Sequence, residues 1–300
     1  MTASLRKCNP ATPAVAWPWI NPIGGLGDAL MLSGILKQKY DLDQTDRYNL
    51  VRRTKYTALF REHPAIASIG YPPRGAEIVP VDYWSDGSFG LGKGRAYQTL
   101  ARMLGLPTPA EERLFLPSSG HGSTGLPSFL FPSDRPWTVV APNSESPRKS
   151  MAHAVWERIV VALEKAGFGV YQVGKLNDRH IQGTYSLCGT TNLEDLVGIL
   201  TACRAILTVD NLIMHLAHLT PTPTVVLWGP TDSEVYGYAE HFHLTSPGPP
   251  CRLKNECLGP RLPENYGVDC PIRDLHCMHD IDTDLILDAL HEGMRRLEGS

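Results

Sequence analysis

The chain has 300 residues, of which 42% are hydrophobic and 20% are charged, and its formal net charge is −3. This length suits two domains of ordinary size, and the composition is that of a globular protein. The slightly acidic balance disfavours nucleic acid as a partner, and the lack of any apolar run of about 18 residues excludes a transmembrane segment.

The first part of the chain alternates strand and helix signals. Short apolar runs predict strands at 14–20, 48–51 and 78–83, and helical spacing of apolar residues predicts helices at 29–40, 54–62 and 94–104. Residues 117–136 are rich in Ser, Gly and Pro, a composition typical of a linker. We therefore predict two domains, comprising residues 1–130 and 131–300.

The second part alternates more clearly. Strands are predicted at 137–141, 169–173, 205–209 and 224–228, and helices at 151–166, after 191–194 and at about 283–297. Continuous apolar strands separated by helices are typical of a parallel sheet covered on both faces. Gly167 is expected to end one helix, and Thr191 with Glu194 is expected to form a capping box for another. The sequence thus predicts an α/β fold.

A glycine-rich loop, Gly24-Gly25-Leu26-Gly27-Asp28, lies between the first predicted strand and helix. Glycines let a ligand approach the backbone closely, and a helix N-terminus offers N–H donors to an anion. The loop has neither the GxGxxG spacing of a dinucleotide site nor a Walker lysine. Asp28 has two interpretations, an N-cap of the helix or a general base that faces a cleft between the domains.

Two further polar segments follow strands of the second part. Asn143 and Ser144 precede Lys149 in a loop that could bind a diphosphate or simply be solvated. Asp210 ends a strand and His215 lies one turn into the next helix, at the edge where α/β sheets bind ligands. The alternative for this pair is a capped helix with a histidine packed against the sheet.

In order and spacing, these segments resemble the ADP-heptose heptosyltransferases of glycosyltransferase family 9. The matching positions are 24–28, Ser144 with Lys149, 210–217 and 229–232. The resemblance implies the GT-B architecture, in which two Rossmann-like domains face a central cleft. It also implies an inverting glycosyltransferase of lipopolysaccharide biosynthesis that needs no cofactor or metal for its chemistry. Such an enzyme moves a heptose or related sugar from a nucleotide diphosphate, ADP in this family, to a glycan or lipid-linked acceptor.

The resemblance also implies roles for individual residues. Asp28 matches the general base, in a loop with Gly24, Gly25 and Gly27 on the acceptor side. The positions implied for donor binding are Asn143, Ser144, Lys149, Asp178, Asp210, Asn211 and His215. Lys149 would balance charge on the leaving nucleoside diphosphate, and Asp178 would bind the ribose.

The chain departs from the family pattern directly after Asp210. Asn211 and Leu212 stand where small residues, often Ser or Thr followed by Gly, usually let the helix approach the sugar phosphate. Two alternatives therefore stay open. One is a transferase of the same fold with a different donor and a protein or small-molecule acceptor, and the other is a non-catalytic sugar-nucleotide-binding relative. The presence of Asp28 disfavours the second alternative.

Four of the seven cysteines, Cys251, Cys257, Cys270 and Cys277, fall in a Cys-rich loop at 251–277. Their spacing lacks the CxxC pairs of a zinc ribbon. Residues 277–281 resemble the end of a Cys-rich segment in some family members. We expect a structural Zn or Fe site, and the alternatives are half-buried free thiols or disulfides formed on oxidation.

The first residues contain a few basic side chains but are broken by Pro10, Pro13 and Pro18. This pattern does not form a signal peptide, so we expect a cytoplasmic protein. A lipid-linked acceptor would still bring it into peripheral contact with a membrane.

Overall fold

A computed structural model describes residues 17–52, 54–84, 94–117, 131–132, 134–247, 270, 276–278 and 281–299. The strands are Trp19–Pro22 (β1), Tyr48–Val51 (β2), Ile66–Gly70 (β3), Ile78–Val81 (β4), Trp137–Ala141 (β5), Gly169–Gln172 (β6), Tyr185–Ser186 (β7), Ala205–Val209 (β8), Thr224–Trp228 (β9) and Phe242–Thr245 (β10). The α-helices are Leu26–Leu42 (α1), Thr54–Phe60 (α2), Ala96–Met103 (α3), His153–Lys165 (α4), Leu193–Ala202 (α5), Leu212–Ala217 (α6), Ser233–Tyr236 (α7) and Thr283–Glu298 (α8). One-turn 3-10 helices occur at Pro147–Lys149 and His276–Met278. Within these ranges, no helix is long and apolar enough to cross a bilayer.

The first sheet has the order β3-β2-β1-β4, and its strands are parallel. Helix α1 packs against α2 and α3 beside it. Ile20 and Leu50 on adjacent strands are fully buried in the same apolar core as Ile35 and Leu36 of α1. Burial of these side chains fixes α1 over the sheet, with its N-terminus at the carboxyl end of β1.

The second sheet has the order β10-β9-β8-β5-β6-β7 and is also parallel. Every residue of β5, β8 and β9 is buried, which confirms the prediction from their continuous apolar runs. Helices α4 and α8 share one apolar core with these strands, and α5 and α6 share another. The sheet is therefore covered on both faces.

The two sheets are joined by packing as well as by the chain. The core around α1 continues into α6 of the second sheet, and these two helices are in contact. The carboxyl ends of β1 and β8 consequently border one cleft. The domain division between residues 130 and 131 stays a prediction, because residues 118–130 lie outside the described ranges.

Some local predictions were wrong in detail. The capping box of α5 is formed by Asn192 and Asp195, one residue later than the predicted pair Thr191 and Glu194. The Asn192 side chain accepts from the Asp195 amide at 2.9 Å, and asparagine is as good an N-cap as threonine. Gly167 does end α4, with a φ of +92°.

Candidate functional site

A cavity of about 500 Å³ lies between the carboxyl ends of the two sheets. This volume falls in the usual range of small-molecule sites. Its lining includes ten of the residues predicted from the sequence, namely Gly25, Gly27, Asp28, Asn143, Ser144, Lys149, Asp178, Asp210, Asn211 and His215. The fold thus brings together segments that are almost two hundred positions apart in the chain.

Asp28 lies in the first turn of α1, where both of its carboxylate oxygens are held. The Gly25 amide donates to Oδ2 at 2.5 Å, and the Tyr83 hydroxyl donates to Oδ1 at 2.6 Å. The N-cap of α1 is Gly25, so the interpretation of Asp28 as the N-cap residue is wrong. Gly24 has a φ of +121°, and a Cβ there would lie 2.3 Å from Asp28 Oδ2. The close turn around the carboxylate therefore requires glycine.

The pKa of Asp28 is raised above its usual value, chiefly because burial disfavours the charged form. Asp210 also raises it through charge repulsion, whereas the Tyr83 and Gly25 hydrogen bonds and the charge of Lys149 lower it. The net effect is a carboxylate that takes up a proton more readily than an ordinary aspartate. A group of this kind can act as a general base toward a hydroxyl in the cleft.

On the opposite wall, Asp210 directly follows β8 and is almost fully buried. Its Oδ2 accepts from Lys149 Nζ at 3.2 Å and from the Thr231 hydroxyl at 2.6 Å. Lys149 is partly exposed to the cavity that it lines. Thr231 thus holds Asp210, and Asp210 positions the charged Nζ of Lys149 where it can contact the phosphates of a ligand.

Asn211 connects the end of β5 and the loop after it to the start of α6. Its Oδ1 accepts from the amides of Ile213 and Met214 at the start of α6, at 2.8 and 3.4 Å. Its amide group donates to the carbonyls of Ala141 and Asn143, at 3.1 and 2.9 Å. Asn211 thus shapes the cavity by holding β5 and α6 together.

Asp178 closes the turn after β6, where its Oδ2 accepts from the Lys175 amide at 2.8 Å. Ser144 is held on its backbone side, because its amide donates to Ser150 Oγ at 3.1 Å. Apolar side chains of Leu193 and Leu196 line the same cavity. The cavity therefore offers polar groups and an apolar surface, as a nucleotide requires.

His215 lies where the two domains touch. Its Nδ1 is 2.7 Å from the Tyr238 hydroxyl, and a Cβ on Gly27 of α1 would lie only 2.4 Å from its Cδ2. Burial, which disfavours the charged form, lowers the pKa of His215 to about 4. The imidazole is therefore neutral at neutral pH. Because the ring occupies the space beside residue 27, that position has no room for a side chain.

Sequence reasoning missed three residues that complete this site, Tyr83, Thr231 and Tyr238. Tyr83 follows the end of β4, the edge where parallel sheets bind ligands, and that position was the available signal. Thr231 falls inside the 229–232 segment that resembled the family. Nothing in the local sequence marks Tyr238, because its role depends on contact with His215.

The cysteine prediction is only partly reached by the structure. Cys251 and Cys257 lie outside the described residues, whereas Cys270 and Cys277 are half-buried. Cys277 packs against the core beneath α8. In the described ranges, no group of three or more His, Cys, Asp or Glu side chains is arranged to hold a metal ion. A structural Zn or Fe site at the four cysteines remains a prediction.

A family model described as glycosyltransferase family 9 (heptosyltransferase) matches residues 95–245, just over half of the chain. This chain belongs to glycosyltransferase family 9. Lipopolysaccharide heptosyltransferase 2 of Salmonella typhimurium is 29% identical to it over 143 residues, and that of Escherichia coli is 27% identical over 143 residues. Each alignment covers 43% of this chain and 41% of the relative, so it spans about two fifths of the curated protein.

Solved structures resemble the whole fold. Escherichia coli ADP-heptose lipopolysaccharide heptosyltransferase II is 16% identical, with a TM-score of 0.65 over 94% of this chain and 100% of that chain. The iron-containing dodecameric glycosyltransferase TibC of enterotoxigenic Escherichia coli is 17% identical, with a TM-score of 0.71 over 94% of this chain and 80% of that chain. These likenesses confirm the predicted GT-B fold of two Rossmann-like units.

Proposed function

We propose that this family 9 protein is an inverting glycosyltransferase. It would move a heptose or related sugar from an ADP-linked donor to a hydroxyl of a glycan or lipid-linked acceptor. The observation that carries the proposal is one cavity with a basic carboxylate, Asp28, on one wall and the Lys149–Asp210 pair on the other. A structure of the heptosyltransferase TibC in complex with ADP-D-beta-D-heptose, with a TM-score of 0.67 to this chain, supports the choice of donor.

On the acceptor side, Asp28 takes the proton of the attacking hydroxyl. Gly25 and Tyr83 hold its two oxygens, so the carboxylate that lines the cavity is kept in one orientation. As the proton moves to Asp28, the acceptor oxygen forms a bond to the anomeric carbon of the donor. The bond from that carbon to the phosphate oxygen breaks with its electron pair, and attack from the opposite face inverts the configuration.

On the donor side, Lys149 balances the negative charge that grows on the leaving nucleoside diphosphate. Its Nζ is positioned by Asp210, and Asp210 is in turn fixed by Thr231, so the cation needs little reorganisation when the diphosphate leaves. His215 on the same side is neutral and can contribute a hydrogen bond without a further charge.

The first test is a thermal-shift titration with ADP, GDP, UDP and dTDP, each beside its sugar conjugate. A ligand that binds only the native state raises the melting temperature with concentration. We expect selective stabilisation by ADP and ADP-heptose, and loss of that shift in Lys149→Met. No response to any of these ligands would contradict the donor site.

Leu212 favours a second candidate, a transferase of the same fold that uses a different donor and a protein or small-molecule acceptor. Its side chain lines the cavity at the start of α6, in a position where a small residue would leave more room. If Leu212 selects another donor, the native protein will prefer a nucleotide other than ADP. In that case Leu212→Gly should move the preference toward ADP-heptose, as the same titration would show.

A further inference from the structure

Tyr238 lies behind His215, on the side of the imidazole away from Gly27. Its hydroxyl is 2.7 Å from His215 Nδ1, and the two rings meet edge to face with centroids 5.7 Å apart. Both side chains are buried. The contact therefore influences which of the two ring nitrogens of the neutral imidazole carries the proton.

The surroundings of the two groups favour a hydrogen bond in which the Tyr238 hydroxyl donates to His215 Nδ1. Burial raises the pKa of Tyr238 well above its usual value, so the hydroxyl keeps its proton and needs an acceptor. Among the residues that the structure describes, His215 Nδ1 is the acceptor within reach of it. A neutral imidazole carries one proton, and when Nδ1 accepts, that proton is on Nε2.

Nε2 lies on the face of His215 that meets the first domain. A Cβ on Gly27 would come within 2.7 Å of it, so the ring stands directly over the first turn of α1. His215 lines the cavity together with Asp28 and Lys149. No residue in the described ranges accepts a hydrogen bond from Nε2, which leaves this N–H available to a ligand.

Contacts with both domains hold the Tyr238 ring in place. The His218 ring stacks on it with centroids 4.0 Å apart and an interplanar angle of 13°. His218 Nε2 is 2.6 Å from the carbonyl of Glu112, and its Nδ1 pairs with Glu240. Arg95 binds the Glu112 carboxylate at 2.6 and 2.8 Å. The tyrosine is thus fixed when the two domains are together.

We propose that Tyr238 is a positioning residue that holds His215 as the tautomer protonated at Nε2, and that this Nε2–H donates a hydrogen bond to a phosphate oxygen of the nucleotide donor. The phosphate contact rests on the proposed function, whereas the tautomer does not. Because the imidazole is uncharged, its N–H can bind the phosphate beside Lys149 without repelling the charge of that lysine.

The tautomer can be measured in the native 300-residue chain. In long-range ¹⁵N–¹H correlation spectra of histidine-labelled protein at neutral pH, we expect His215 to show a bare Nδ1 and a protonated Nε2. Loss of its signals in His215→Gln assigns them. A proton on Nδ1, or a charged ring, would overturn the proposal. In the second step, we expect the addition of ADP to shift the Nε2–H signal of His215.

The ADP response separates two kinds of failure. If ADP stabilises the protein but leaves the Nε2–H signal unmoved, the phosphate contact is wrong. If ADP does not bind at all while the Nε2–H tautomer is seen, the proposed function fails and the positioning role of Tyr238 stands.

Two tyrosine variants distinguish positioning from general packing. Tyr97 is also buried and donates to the Arg113 carbonyl at 2.7 Å, without contact to His215. We expect Tyr238→Phe to mix the His215 tautomers and to weaken ADP binding about fivefold, the effect of one hydrogen bond. Tyr97→Phe should change neither. Equal losses of affinity in both variants, with an unchanged tautomer, would mean a merely structural role. If Tyr238→Phe does not fold, the native spectrum decides.

Discussion

Two aspartates stand on opposite walls of the cleft, and their surroundings differ. Asp28 is held by uncharged donors, the Tyr83 hydroxyl and the Gly25 amide, and its pKa is raised. Asp210 is held by the Lys149 cation and the Thr231 hydroxyl. The same residue type near the carboxyl end of a parallel strand therefore serves two purposes. One aspartate can accept a proton, and the other is the counter-ion of a lysine.

The largest expected effect comes from replacing each aspartate by asparagine. Asp28→Asn should lower kcat about a thousandfold, because it removes the base, and should leave ADP affinity unchanged. Asp210→Asn should instead weaken ADP binding, because Lys149 loses its anchor. Steady-state kinetics and calorimetric titration measure the two effects. The assigned roles would be wrong if Asp28→Asn retained full turnover, or if both variants showed the same loss of kcat or of ADP affinity.

Stability provides the control for that pair. Because the folded-state pKa of Asp28 is raised, its ionised form costs stability once the pH exceeds the usual aspartate pKa. The Asp28→Asn variant should consequently melt at pH 7 no lower than the native protein. A lower melting temperature would mean that lost activity reflects unfolding.

A smaller loss is expected when the cation is removed. Lys149→Met should weaken ADP binding by about thirtyfold, the size of a charge-assisted hydrogen bond to phosphate. Lys175→Met is the matched control, because Lys175 also borders the cavity. Its side chain is 70% exposed, and its Nζ lies 3.6 Å from Glu145 Oε1, farther than Lys149 lies from Asp210. A loss in Lys175→Met as large as that in Lys149→Met would contradict the assigned phosphate site.

Gly27 tests the contact between the two walls. In Gly27→Ala the new methyl group would lie 2.4 Å from His215 Cδ2, so either the His215 ring or helix α1 must move. Overpacking costs about 1 to 3 kcal/mol, and because this cost falls on the arrangement of the site, we expect kcat/KM to decrease about tenfold. Gly70→Ala is the control, since among the described residues its Cβ would meet only Trp19, at 3.8 Å. Full activity in Gly27→Ala would show that the cleft works in a more open state.

The smallest effect sharpens the role of Tyr83. Its hydrogen bond stabilises ionised Asp28 and lowers the pKa of that group, so Tyr83→Phe should raise the pKa further. In a plot of kcat/KM against pH, the acidic limb should then move to higher pH. The value of kcat/KM on the plateau at higher pH should change little. Tyr97→Phe should leave the limb in place. A limb that moves to lower pH would contradict Asp28 as the base.

Much of the fold was decided by the sequence itself. Strands β5, β8 and β9 of the second sheet are buried on both faces, which favours runs of apolar residues, and all three were predicted with their observed bounds. β3 was missed because none of its residues is fully buried and its apolar run is interrupted. The glycine loop, Lys149 and Asp210 could be found because backbone turns and strand ends leave local signals.

The partners that give these residues their chemistry were decided by tertiary structure. Tyr83 reaches Asp28 from 55 positions away, Thr231 reaches Asp210 from 21, and Tyr238 reaches His215 from 23. Each contact joins different strand or helix ends that only sheet order and domain packing bring together. The sequence by itself thus determined which groups are present at the cleft. Their protonation and charge pairing depend on burial and on neighbours across the fold, which no local pattern records.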